Sequence, residues 1–527
     1  MGKLRQRIES MGPMAALGAG GAAILVLLLA IVGAIKVSHH GSSKSSVAAR
    51  GAATTTSSPG ALSPVTGGQT AATQPGGAPV PGGAASAGGA ARSSGGQSVS
   101  SGGTRAGASN PNSYVSPTGG DTTGVFKDHV EWGLHAPKTF NGAPLPIADD
   151  PLKGVKIYLT AINNAGGVAG RKIVEEFADD SYTVDGAKAA ANTLINDKHV
   201  FHISGTLGVD QIAIVAAAAA KAHTPYMAGG GSEVPFRTIG MYQEAGSYDT
   251  HLVMLAKFLA KESTSNPASP YFHLKRIGVS ALNSVYLQPS VDAFHSAVDA
   301  TGVLEWGCEV KVAKYTDSSN THNYSDQLQT LQNNCGGTGK HADIVVPAQD
   351  PLTTQLQVQQ CPANGCTFKW TMSDFAHDDD VALGIIEPAG QWNGVRGLSG
   401  GCYYEVYKDP KYDGKCGNLK QAHDAWIAGT DASDKQGDWD SHGQGGVAGY
   451  QITHFWLTAL KNAGADLTRQ RFVSALSAYK GFDDLVTGPI TFAGSPNIAH
   501  GIDEMAVYQA QADGKWTQAS DGLVGSF

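Results

Sequence analysis

Gly-Leu-Ser-Gly-Gly at 397–401 has the G-x-S-x-G spacing that turns a serine into a nucleophile, and His423, His442, His454 and His500 follow as candidate bases. That chemistry needs a strand before the serine and a helix after it. Here the motif leads into Cys-Tyr-Tyr-Glu-Val-Tyr at 402–407, a β-like run, so a serine hydrolase is the weaker reading. Gly339-Lys340 hints at a phosphate loop, but Asn334 stands where the earlier glycine belongs and His341 follows the lysine, which excludes a Walker motif. His377 with Asp378, Asp379 and Asp380 offers either a cation site or a solvated acidic turn. The Ala-Gly-Gly-Gly-Ser run at 228–232 suits binding rather than catalysis. Its glycines let backbone N–H groups approach an anion, and Ser232 adds a hydroxyl donor; an ordinary glycine turn with a capping serine is the alternative.

All six cysteines (Cys308, Cys335, Cys361, Cys366, Cys402 and Cys416) lie in the second half. An even count in an exported chain favours disulfides. Sequential pairing joins plausible neighbours, although six cysteines allow about 15 connectivities. Zinc is the competing use, weakened because no CxxC pair is present.

These residues need elements to hold them, and the chain from about 125 onward alternates short apolar runs with amphipathic helices, the pattern of parallel sheets covered by crossover helices. One series reads as strands at 130–135, 172–177, 200–204 and 225–228, separated by helices at 151–164, 185–196 and 209–222. A second reads as strands at 276–281, 303–312, 343–346 and 367–372, with helices at 287–300, 324–333 and 351–360. The fold class is therefore α/β, with two doubly wound parallel-sheet lobes. Helices at 449–463 and 468–479 and strands near 490–492 and 505–509 follow, so the chain is expected to cross between lobes more than once. Lobe one is expected to hold about 125–255 and 396–488, and lobe two about 256–395 and 489–527.

Residues 1–13 form a basic N-terminus with Lys3, Arg5 and Arg7. Residues 14–36 are apolar up to Ile35, long enough to span a bilayer, and the positive flank holds the N-terminus in the cytoplasm. The run exceeds a signal peptide's apolar core, which favours a retained anchor, although Val32-Gly33-Ala34 offers a cleavage site. Residues 37–124 are mostly Ala, Gly, Ser, Thr, Pro and Gln. Such a segment buries too little apolar area to fold and serves as a spacer spanning about 50 Å. A net charge of −8 and the lack of a Lys/Arg stripe interleaved with aromatics argue against nucleic acid.

Ala-Ile-Asn-Asn-Ala-Gly-Gly-Val-Ala-Gly-Arg-Lys at 161–172, with Phe-Ala-Asp-Asp at 177–180, resembles the type I periplasmic binding proteins of the leucine/isoleucine/valine receptor group. Leu194-Ile195, the run 200–205, Thr-Pro-Tyr-Met at 224–227, Gly-Pro-Ile-Thr-Phe at 488–492 and Gly-Lys-Trp at 514–516 continue the likeness in order, over about 128–516. The resemblance implies two lobes joined by three crossings, a ligand in the cleft, and no cofactor or reaction. It implies an extracytoplasmic solute-binding protein for a small amino acid, amide or related carboxylate, serving a separate ABC permease; a sensor or scavenger on the same fold is the alternative. By position it places Gly230 and Ser232 at a ligand carboxylate, Tyr286 over the ligand and Asp374 at a ligand amine. Val209 stands where the family carries a further serine, and the following Asp210 would repel a carboxylate if it faced the cleft. Gln349 and Asp350 are candidates on strand position alone.

Overall fold

The computed structural model describes residues 112–525 except 146–147, 233–239, 244–246, 318–319, 373–393, 400–418, 482–489, 493–503 and 512–515. The first group of elements opens with β1 (His129–Ala136), a hairpin of β2 (Thr139–Phe140) and β3 (Ala143–Pro144), and helix α1 (Asp149–Asn164). It continues through β4 (Lys172–Asp179), α2 (Val184–Asn192, prolonged by a π turn over Thr193–Asp197), β5 (His202–Gly205), α3 (Val209–Lys221), β6 (Tyr226–Ala228) and β7 (Met241–Gln243). The sheet order is β4-β1-β5-β6-β7 with every neighbour parallel. β1 and β5 are buried along most of their length, as strands covered by helices on both faces must be.

The second group repeats the plan with α4 (Tyr248–Ser265), β8 (Arg276–Leu282), α5 (Gln288–Ala300), β9 (Glu305–Val312), α6 (Ser325–Asn333), β10 (Ile344–Ala348), α7 (Pro351–Gln360) and β11 (Lys369–Trp370). Its order is β11-β10-β8-β9, again all parallel. In both sheets the winding reverses direction beside the first strand, which is where a doubly wound fold leaves a crevice at the strands' carboxyl ends.

The rest of the chain serves both groups. β12 (Arg396–Ser399) bridges to Met372 and extends the second sheet. Helices α8 (Leu419–Gly429), α9 (Lys435–Ala463) and α10 (Arg469–Ser477), with the pair β13 (Lys480–Gly481) and β14 (Ile490–Thr491), return to the first group. β15 (Glu504–Ala510) and β16 (Trp516–Gly525) then pair antiparallel beside β12. The chain thus passes between groups three times: before α4, after β12 and after β14. These points differ from the expected 256, 396 and 489, because α4 packs on α5 and β12 pairs with the second sheet. Close approach holds α9 on α1: a Cβ on Gly449 would lie 2.3 Å from the Pro151 carbonyl oxygen, and one on Gly154 2.9 Å from that of Gly446.

Residues 112–124, which composition assigned to the spacer, form a strap on the first group. Tyr114, Ser116 and Thr118 each donate a side-chain hydrogen bond to Asp466. Asp121 pairs with Arg469, whose guanidinium also donates to the Val200 and Phe201 carbonyls. Polar bonds to a buried arginine order this stretch, a mechanism invisible to a count of apolar residues. Disulfides join Cys308 to Cys335 and Cys361 to Cys366, as sequential pairing anticipates; Cys402 and Cys416 lie outside the described residues. Residues 14–36 also lie outside them, and among the described residues no helix is long and apolar enough to cross a membrane.

Candidate functional site

At the carboxyl ends of the first sheet, His135 Nδ1 donates to Asp180 Oδ2 at 2.8 Å, and its Nε2 is hydrogen-bonded to the Tyr226 hydroxyl at 2.8 Å. The His135 and Asp180 side chains are wholly buried. Gly205 makes the arrangement fit, since a Cβ there would stand 2.2 Å from the Tyr226 oxygen and 2.4 Å from His135 Nε2. The acidic pair that ends β4 builds the adjoining turn. Asp179 Oδ1 accepts from the Ser181 N–H and Asp180 Oδ1 from the Tyr182 N–H, at 2.8 and 2.9 Å. Both Ser181 and Tyr182 have positive φ, 50° and 53°. Non-glycine residues in that region cost on the order of 1–3 kcal/mol each, and such strain concentrates at functional sites. Its result here is to set the Tyr182 ring between the two walls.

The second wall meets that ring. Lys314, just past β9, lies 4.0 Å from the ring centroid and donates to Gln211 Oε1 at 2.7 Å. Thr316 Oγ1 donates to the Tyr182 carbonyl at 2.9 Å, and Ser284, after β8, donates to Asp210 Oδ1 at 2.5 Å. Asp210 and Gln211 lie in the first turn of α3. Beside this polar strip, Leu145 and Tyr182 form a small apolar cluster with Phe140, Leu207 and Leu352, the last from the second wall. Burial lowers the pKa of Lys314, opposed by Asp210, Asp350 and Asp180. Burial, with the same three aspartates and Tyr248, raises the Tyr182 phenol well above its ordinary value.

The residues singled out from the sequence fall on both walls. Gly230 and Ser232 are buried in the loop after β6. That loop is stitched to α4, because the Gly231 carbonyl accepts from the Tyr248 N–H at 2.9 Å and from Gln243 Nε2 at 2.8 Å. Tyr286, after β8, is 38% exposed, so its ring is open to contact. Gln349 and Asp350 stand at the end of β10 but spend polar atoms internally. Gln349 accepts from Ser280 and donates to Gln357, and Asp350 caps α7 through the Thr353 N–H and hydroxyl. Asp374, with His377 and the three aspartates after it, lies outside the described residues.

Tyr182, Gln211, Lys314 and Thr316 are the cleft residues that sequence reasoning missed. Each lies within a few residues of a strand's carboxyl end or in the first turn of the helix that follows. The same positional rule that picked out Gly230 would have found them had it been applied to every strand. Asp210, expected to repel a carboxylate if it faced the cleft, is a hydrogen-bond acceptor for the opposite wall. Ser399 of the G-x-S-x-G motif is buried within β12, paired antiparallel to Ala506 of β15.

A family model described as periplasmic binding protein matches residues 133–515. Among solved structures, the chain is similar to a fatty acid ABC transporter substrate-binding protein from Thermomonospora curvata, at 15% identity and TM-score 0.59, over 78% of this chain and 97% of that one. It is also similar to the branched-chain amino acid transporter substrate binding protein LivJ from Streptococcus pneumoniae in complex with isoleucine, at 15% identity and TM-score 0.57, over 76% and 100%. A third is an ABC transporter solute binding protein from Rhodopseudomonas palustris in complex with 3,4-dihydroxybenzoic acid, at 16% identity and TM-score 0.55, over 75% and 97%. No curated protein sequence matches the chain.

Proposed function

Because the chain belongs to the periplasmic binding protein family, and is a binding protein rather than an enzyme, we propose that it captures a small polar solute by closing two lobes over it and delivers that solute to a separate ABC permease. The family implies an extracytoplasmic position. The observation that carries the reading is the pair of doubly wound walls meeting across their carboxyl ends through Tyr182, Asp210, Gln211, Ser284, Lys314 and Thr316. Contacts made by both walls let a ligand shift an open–closed equilibrium, since its affinity for the closed form exceeds that for either wall alone.

The solute class we favour is an amino acid, amide or related carboxylate. The solved relatives support it through the ligands they are named for, a fatty acid, isoleucine and a dihydroxybenzoic acid, each of which carries a carboxyl group. Gly230, Ser232, Tyr286 and Asp374 are the proposed contacts beside the strip across the cleft. Residues 14–36 act as a membrane anchor and the spacer after them carries the lobes outward. Small-angle scattering with a saturating ligand found by thermal-shift screening tests the closure, and the bound protein is expected to be more compact. Ser232→Ala and Asp374→Ala are each expected to weaken binding by about 1–3 kcal/mol. An unchanged radius of gyration together with unaltered affinity in both variants would overturn the reading.

A further inference from the structure

On the strength of that solute-binding reading, we infer that Lys314 determines specificity in this cleft, selecting a ligand with one carboxylate and an apolar body over the corresponding amide or amine. Lys314 belongs to the second wall, yet its ammonium reaches the first, 2.7 Å from Gln211 Oε1 and over the ring of Tyr182. An ammonium carries three donors and no acceptor. Among the described residues its hydrogen-bond acceptor is Gln211, which leaves donors for a group brought between the walls. Gln211 is itself wholly buried, and its Nε2 has no hydrogen-bond partner among the described residues. The same holds for the buried hydroxyl of Thr206, two residues before Gly208. Gly208 carries no side chain against these groups: a Cβ there would lie 2.4 Å from Gln211 Oε1 and 3.1 Å from the Tyr182 ring.

Donors without a partner among the described residues, on Lys314 and at Gln211 Nε2, thus lie at the point where the walls meet. Buried polar groups are overwhelmingly hydrogen-bonded in folded proteins, so donors left over here call for an acceptor on the ligand. The charges of the acidic neighbours act on Lys314 and Tyr182, but their hydrogen bonds among the described residues go to groups other than the ammonium. Asp180 is engaged by His135 and the Tyr182 N–H, Asp350 by both groups of Thr353, and Asp210 by Ser284. Burial lowers the ammonium's pKa, and a carboxylate placed beside it favours the charged form again. The Tyr182 ring with Leu145, Leu207 and Leu352 offers the rest of such a ligand an apolar seat immediately alongside.

Isothermal titration of the full-length protein with matched sets of probes tests this: benzoate, benzamide and benzylamine; leucine and leucinamide; and a neutral sugar as a control. In at least one set the acid is expected to bind about 10- to 100-fold more tightly than its amide, the range for a hydrogen bond between charged groups. Lys314→Met is expected to abolish that ratio while leaving the amide's affinity in place, and Lys314→Arg to keep part of it. Thermal melting of each variant confirms folding, and a ratio of affinities is insensitive to a general loss of stability. An amide or amine binding as well as its acid, or an undiminished ratio in Lys314→Met, would overturn the role of Lys314. Binding of the sugar or an amine alone would overturn it too while leaving solute capture standing. No binding and no compaction with any probe would overturn both.

Discussion

His202 begins β5 in the aromatic interior of the first lobe, and replacing it by phenylalanine gives a direct test of how that interior is held together. The imidazole is 1% exposed and lies among Trp456, Phe472 and Phe201, with ring centroids 4.6, 4.9 and 5.9 Å away. Neither ring nitrogen has a hydrogen-bond partner among the described residues. Burial, with a smaller contribution from Arg469, holds the imidazole pKa well below its usual 6.5. A histidine kept neutral in the native state protonates readily once unfolded, so stability is present above the unfolded pKa and is lost as pH falls below it. For one such group the linkage relation gives a loss of about 1.4 kcal/mol between pH 7.5 and 5.5. In His202→Phe this loss should vanish. At pH 7.5 the variant should lie within about 2 kcal/mol of the natural protein, relief of two unpaired polar atoms being set against the strain of a slightly larger ring. Urea unfolding at the two pH values measures both quantities, and the pH range lies above that in which most carboxylates titrate. An identical pH slope in natural protein and variant would show that His202 gains its proton at the same pH in both states, refuting the picture of a dry aromatic cage.

Asp466 is held at a pKa of about 2, chiefly by hydrogen bonds from Ser116 and Thr118. A depressed carboxyl stabilises above its unfolded pKa and loses that contribution as pH falls through the folded value. The strap should therefore resist limited proteolysis at pH 4 and neutral pH and come free only toward pH 2, whereas in Asp466→Ala it should be cut at neutral pH. Removing the Cys308–Cys335 link, which closes a separation of 27 residues, should cost about 3 kcal/mol in thermal or urea unfolding. Mass spectrometry of the exported protein without reductant should find these two cysteines, and Cys361 with Cys366, inaccessible to alkylation.

The parallel sheets were legible because their strands are apolar on both faces and their helices carry clear period and punctuation. Gly166 and Gly167 mark the end of α1, and the observed bounds of α5, α6 and α7 lie within one residue of the expected ones. Helix α4 is not among the helices expected from the sequence, although Ser247 caps it and Leu252, Leu255, Ala256 and Leu259 repeat along one face. β7, β12 and β16 were not legible. Each depends on partners far away in sequence, and three-residue strands such as Met241–Gln243 have too short a run to show a period. For the cleft, glycine loops announced themselves by composition. Tyr182 and Lys314 did not; their positions just past a strand's carboxyl end were the available signal, while the left-handed turn and the reach to the other wall are consequences of tertiary packing.

The strap has a mechanical consequence. Its contacts run to Asp466 and Arg469, and through Arg469 to the backbone just before β5, all within the first lobe and at the amino ends of its strands. Tension arriving along the preceding chain is therefore taken up by one lobe, on the side away from the cleft. Lobe two is reached only through lobe one, by the passages between β7 and α4, β12 and α8, and β14 and β15. Under the proposed anchoring at residues 14–36, a pull along the chain would load lobe one at the amino ends of its strands, and the proposed closure would be set by the solute rather than by that pull.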